Sequence, residues 1–131
     1  MYERNYAFTK QVAGTVDEVE PRVREALKTE GFGVLTEIDI QATLKAKLGV
    51  ERRPYRILGA CNPPLANEAL QAELPIGLLL PCNVTVFEGD DGRTYVQAIR
   101  PEAMFAAIEG ADVQPLADAV GAKLQRVMDA L

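Results

Sequence analysis

Histidine is missing from this sequence, and so is tryptophan. Without an imidazole there is no Ser-His-Asp triad, no Cys-His dyad, no His-Glu-x-x-His zinc site and no imidazole acid–base step. Cysteine is scarce, and two in 131 residues are too few for the disulfide framework of a small secreted domain. Positive charge is the minority sign. Fourteen Lys and Arg stand against nineteen Asp and Glu, for a net charge of −5. Whole-molecule attraction to nucleic acid or anionic lipid is therefore not expected. The longest apolar stretch, 75–87, is broken by Pro81, Cys82, Asn83 and Thr85. It falls short of the ~20 residues of a membrane-spanning helix. The opening MYERNYAFTK carries no apolar core and no small-residue cleavage site, so no signal peptide and a soluble, cytoplasmic protein are the expectation. No linker, repeat or low-complexity run divides the chain, and 1–131 is expected to be a single domain.

What is present is clear local punctuation. Residues 2–12 alternate like a strand, with Tyr2, Tyr6, Phe8 and Val12 on one parity. Thr15 and Glu18 form a capping box. Val16, Val19, Val23, Ala26 and Leu27 follow at helical spacing, and Gly31 closes that helix. A second strand is expected over 32–38. A second helix then runs from Asp39 at the N-cap to Gly49, with Ile40, Leu44 and Leu48 as its stripe. Strand 55–61 leads to Asn62 and Pro63, a cap followed by a first-turn proline, and a helix to about Glu73. Residues 77–87 read as a long buried strand, interrupted near Pro81. Asp90-Asp91-Gly92 turns the chain into a partner strand, 94–99. A short helix opens at Pro101, and a last one, about 115–131, carries Leu116, Val120, Leu124 and Val127. The terminal hairpin argues against a purely parallel sheet. The expected fold is α+β, a mixed or mostly antiparallel sheet packed against helices, with extra short helices.

Charge is uneven. Residues 45–56 carry Lys45, Lys47, Arg52, Arg53 and Arg56 against Glu51 alone. That island suits either an anion site, since an arginine fork matches carboxylate or phosphate, or a solvated helix end. The chain also repeats a chemical pattern. Ile57-Leu58-Gly59-Ala60-Cys61-Asn62-Pro63 and Leu78-Leu79-Leu80-Pro81-Cys82-Asn83 each put a Cys-Asn pair at the edge of an apolar run, beside a proline. Strand ends of this kind hold side chains in place yet leave them reachable.

These two segments, with Gly31-Phe32-Gly33-Val34-Leu35-Thr36-Glu37-Ile38-Asp39 ahead of them and Val84 after, resemble the bacterial and archaeal domain-of-unknown-function 302 family. The resemblance covers nearly the whole chain. It implies a compact sandwich of the β-α-β4-α kind and a homodimer, and it implies no established activity or cofactor. Cys61, Asn62, Pro81, Cys82 and Asn83 all match the family pattern.

Three functions follow as expectations. The first is a small-molecule or anion binding module whose pocket lies at the Cys61-Asn62 and Pro81-Cys82-Asn83 breaks. There the N–H groups of the helix capped by Asn62 would face an anion, helped by Arg53 and Arg56. The second is a thiol site for zinc or copper, or a redox pair, built from Cys61 and Cys82. The third is a dimeric structural protein, with 76–80 as an interface strand. Catalysis is the weakest branch, since it would need a tuned group such as Cys61 at a helix N-terminus.

Overall fold

The structure, a computed structural model, describes all residues from Met1 to Leu131. The elements are β1 (Ala7–Val12), α1 (Val16–Thr29), β2 (Gly33–Asp39), α2 (Ile40–Leu48), β3 (Tyr55–Cys61) and α3 (Pro63–Ala72). A short 3₁₀ helix (Leu74–Leu79) follows, then β4 (Cys82–Glu88), β5 (Thr94–Ile99), α4 (Pro101–Phe105) and α5 (Gln114–Asp129). The sheet runs β1-β5-β4-β3-β2. Every neighbouring pair is antiparallel, so the α+β expectation holds with no parallel pair.

Alternation along the strands separates the two faces of the sheet. Phe8, Val12, Leu58, Ala60, Cys82, Val84, Val86, Val96 and Ala98 share the main core with the inner stripes of α1 and α5. Helix α1 starts where the capping box put it, with Glu18 N–H donating to the Thr15 hydroxyl. It ends before Gly31, whose φ of 82° is easy only for glycine. A smaller cluster of Ala69, Ile76, Phe105, Val113, Leu116 and Ala117 joins α3, the 3₁₀ helix, α4 and the start of α5. The candidate site lies where these two cores meet.

Three expectations are corrected. Residues 77–81 are not strand: 74–79 form the 3₁₀ helix, and β4 begins only at Cys82. With three residues per turn, Ile76 and Leu79 point inward together while Leu78 points out. Over six residues such a period is hard to tell from a buried strand. An interface strand at 76–80 therefore does not exist. Next, β1 begins at Ala7, not Tyr2. Tyr2 leaves the ladder, and its ring meets Phe87 and Tyr95 edge-on at 5.2 and 4.8 Å. Its hydroxyl accepts from the Asp90 N–H at 2.9 Å. Finally, α2 buries none of its residues, so Ile40, Leu44 and Leu48 form no core stripe.

Candidate functional site

Register brings the two cysteine segments together. Ala60 of β3 stands opposite Cys82 of β4, so the ends of both strands share one edge of the sheet. Cys61, Asn62, Pro81 and Cys82 all line one recess of about 330 Å³. Its outer wall is α3, through Leu65, Ala66 and Leu70, and its rim includes Leu35 of β2 and Gly77 of the 3₁₀ helix. Phe105, Leu116 and Val120 close the far side. Thirteen of the sixteen lining residues are hydrophobic, and none is Lys, Arg, Asp or Glu.

The polar groups at the recess are committed elsewhere. The Asn62 amide donates to the Glu30 carbonyl at 3.2 Å, and its oxygen accepts from the Leu65 N–H at 3.5 Å. It thereby caps α3 and ties it to the end of α1. The next turn of α3 offers an anion nothing. Pro63 and Pro64 have no N–H, Leu65 is taken by the cap, and the Ala66 N–H donates to the Asn62 carbonyl at 2.8 Å. The expected anion cradle at Asn62 is therefore corrected: two consecutive prolines remove the donors that a helix N-terminus usually presents.

The structure does not bring the arginines to this place. Arg53 pairs with Glu88 at 2.8 Å, and Arg56 pairs with Asp17 and Glu20. Arg53 precedes β3 and Arg56 lies near its start, whereas Cys61 ends it. Of the rest of the basic island, Lys45 pairs with Glu51, and Arg52 lies over the Tyr55 ring at 5.2 Å. Asn83 follows Cys82 on β4 and so takes the opposite face. It lines a second hollow of about 340 Å³ with Leu78, Ile99 and Met104. Leu80 and Pro81 border both hollows.

Both cysteines are free thiols, Cys61 half-buried and Cys82 buried. Burial, with a smaller contribution from the charge of Cys61, pushes the Cys82 thiol up to about 11. Folding thus favours its neutral form. The stability it contributes is intact below an ordinary thiol pKa and is lost as pH climbs from about 9 to 11. Urea unfolding across that window should show the native chain losing about 3 kcal/mol more than Cys82→Ala. Equal losses would mean that Cys82 ionises as freely folded as unfolded. No third His, Cys, Asp or Glu joins the two thiols in a metal-sized group.

Sequence reasoning missed the walls contributed by Leu35, Phe105, Leu116 and Val120. Leu116 and Val120 were visible as a helical stripe, but nothing local said that the stripe passes from the main core to a hollow.

The model of a family described as "Domain of unknown function DUF302" matches residues 8–131. The chain belongs to the DUF302 family. A crystal structure of an uncharacterized conserved DUF302 protein from Bacillus stearothermophilus superposes with a TM-score of 0.89 at 28% identity, over 97% of this chain and 98% of that one. Nothing among the curated proteins matches. The DUF302 membership accounts for the fold and leaves the recess without an assigned role. No helix of this DUF302 chain is long and apolar enough to cross a membrane.

Proposed function

We propose that this protein binds a small, neutral, predominantly apolar molecule in the recess between α3, the 3₁₀ helix and the ends of β3 and β4. The observation that carries the reading is the lining: about 330 Å³ of space, thirteen hydrophobic residues and no charged side chain. An apolar cavity of roughly 150 Å³ is enough for benzene, so the recess has room for a molecule of about two rings. An anionic ligand finds no partner there. Its charge would be stripped of water with no lysine or arginine in the lining and no free N–H at the start of α3 to receive it.

N-phenyl-1-naphthylamine, a neutral fluorescent probe, tests this directly. Titration should be saturable at one probe per chain. Ala66→Phe, which fills the hollow from α3, should weaken binding at least tenfold. Gly77→Leu should weaken binding from the rim, where Gly77 lines the recess, and without displacing a neighbour, since a Cβ there meets nothing within 4 Å. Absence of saturable binding to the native protein sinks the reading.

A thiol site for zinc or copper, or a redox pair, draws support from the presence of Cys61 and Cys82 in the same recess. It is the weaker reading, because no third ligand accompanies them and Cys82 holds its proton up to about 11. The homodimer implied by the family resemblance has an open surface available. The sheet face opposite α1 and α5 carries Ile57, Thr85, Gln97 and Ile99 only half-buried.

A further inference from the structure

The sheet face turned away from α1 and α5 carries a row of aromatic rings set by register. Tyr55, Phe87 and Tyr95 stand directly opposite one another on β3, β4 and β5. Tyr55 stacks on Phe87 with ring centroids 5.1 Å apart, and Phe87 on Tyr95 at 5.8 Å. Beside this row lies a third hollow, of about 330 Å³, lined by the rings of Tyr2, Tyr6, Tyr55 and Phe87 and by Arg4 and Arg52. Glu88, Asp90 and Gln97 complete its lining. The opening segment is pinned here at several points. The Gln97 amide donates to the Tyr2 carbonyl at 2.8 Å, the Ala7 N–H to the Arg4 carbonyl at 3.2 Å and the Arg100 N–H to the Tyr6 carbonyl at 2.8 Å. Arg4 is thereby held at the same hollow that Arg52 reaches from the segment before β3.

The charges at this hollow do not cancel. Arg4 and Arg52 donate only to main-chain carbonyls, those of Glu3 and Arg53, and neither forms an ion pair. The nearby carboxylates are engaged elsewhere. Glu3 holds the N-terminal ammonium at 2.5 Å, Glu88 holds Arg53 at 2.8 Å, and Asp90 also faces Arg53. Three arginines, Arg4, Arg52 and Arg53, against Glu88 and Asp90 leave one positive charge. We propose that this hollow is a second ligand site, for a small aromatic molecule carrying a single carboxylate. Its ring would pack edge-on or stacked against the tyrosines and Phe87. Its carboxylate would take guanidinium donors that match two oxygens at once. A second negative charge, as on a phosphate ester, would meet Glu88 and Asp90 with no cation left to balance it. The site is independent of the apolar recess, with which it shares no lining residue.

Titration calorimetry with 2-naphthoate is the test, run beside 2-naphthol, which keeps the rings without the charge, and cyclohexanecarboxylate, which keeps the charge without an aromatic ring. The native protein should bind 2-naphthoate saturably and each of the other two at least tenfold more weakly. Arg4→Gln combined with Arg52→Gln should weaken 2-naphthoate at least tenfold. Both arginines are exposed, so the melting temperature and N-phenyl-1-naphthylamine binding should stay as in the native protein. Ala66→Phe, which fills the other recess, should leave 2-naphthoate binding intact. No saturable binding of 2-naphthoate overturns the proposal, as does binding unchanged in the double arginine variant. Equal affinity for 2-naphthol or for cyclohexanecarboxylate overturns it too, because charge or ring would then select nothing. Loss of 2-naphthoate binding in a folded Ala66→Phe protein overturns it by placing the anion in the first recess. Failure of N-phenyl-1-naphthylamine alone to bind sinks the reading of the first recess and leaves this site standing.

Discussion

Leu124→Ala is expected to destabilise the protein by about 2–5 kcal/mol, the range for deleting a fully buried leucine. Leu124 is 0% exposed and sits in the main core with Val23 and Leu27 of α1 and with Val84 and Val86 of β4. Close packing leaves no neighbour free to fill the space, so lost transfer energy and a residual cavity add together. Against the 5–15 kcal/mol that holds a typical domain folded, this is a large share. The effect should reach the recess. Leu124 continues on α5 the stripe begun by Leu116 and Val120, which close the hollow. Urea denaturation measures the loss, and Leu78→Ala is the internal comparison. That side chain is almost wholly in water, so its removal should change stability by less than about 0.5 kcal/mol. Equal losses at the two positions would contradict the core described here.

Gly59→Val is expected to damage stability and binding together. Gly59 lies on β3, between Thr36 of β2 and Asn83 of β4. A Cβ added there would approach Pro81 Cγ to 2.8 Å and collide with the Thr36 hydroxyl. The hydroxyl can rotate away. The proline ring cannot, because it is held at the entry to β4 between the two hollows. Overpacking of this kind costs about 1–3 kcal/mol, and the displaced ring would reshape a wall of the recess. The expected result is a lower urea midpoint with probe binding weakened by more than the loss of folded protein explains. Gly77→Ala, with open space around its Cβ, should leave the midpoint almost unchanged. A Gly59→Val protein as stable as the native one would mean that Pro81 is not fixed.

Much of the fold was legible because its signals are local. Thr15 with Glu18, Asp39 with Gly49, Asn62 with Pro63, and Asp90-Asp91-Gly92 each declare an element boundary within a few residues. The convergence of Cys61 and Cys82 was legible for a related reason. Each ends or begins an apolar strand beside a proline, and antiparallel neighbours bring such ends to one edge. The arginines were not legible. Arg56 meets Asp17 across 39 positions of chain, and composition says nothing about which carboxylate a guanidinium will find. The failure of the anion site had a visible cause that was easy to pass over. Pro64 is as plain in the sequence as Pro63, and together they delete the N–H groups on which the site depended. Asn83 could have been separated from Cys82 by strand alternation alone.

Chain order adds a timing constraint. The edge strand β1 pairs only with β5, and more than ninety residues separate Ala7 from its partner Ile99. At about 5–20 residues per second, a ribosome spends several seconds or more between making the one and making the other. The first strand to emerge therefore has no ladder to join until the terminal hairpin is out. During that interval the Phe8 ring and the free edge of β5's future neighbour must be kept from pairing elsewhere, so the opening segment is the part of this protein most dependent on prompt completion of synthesis.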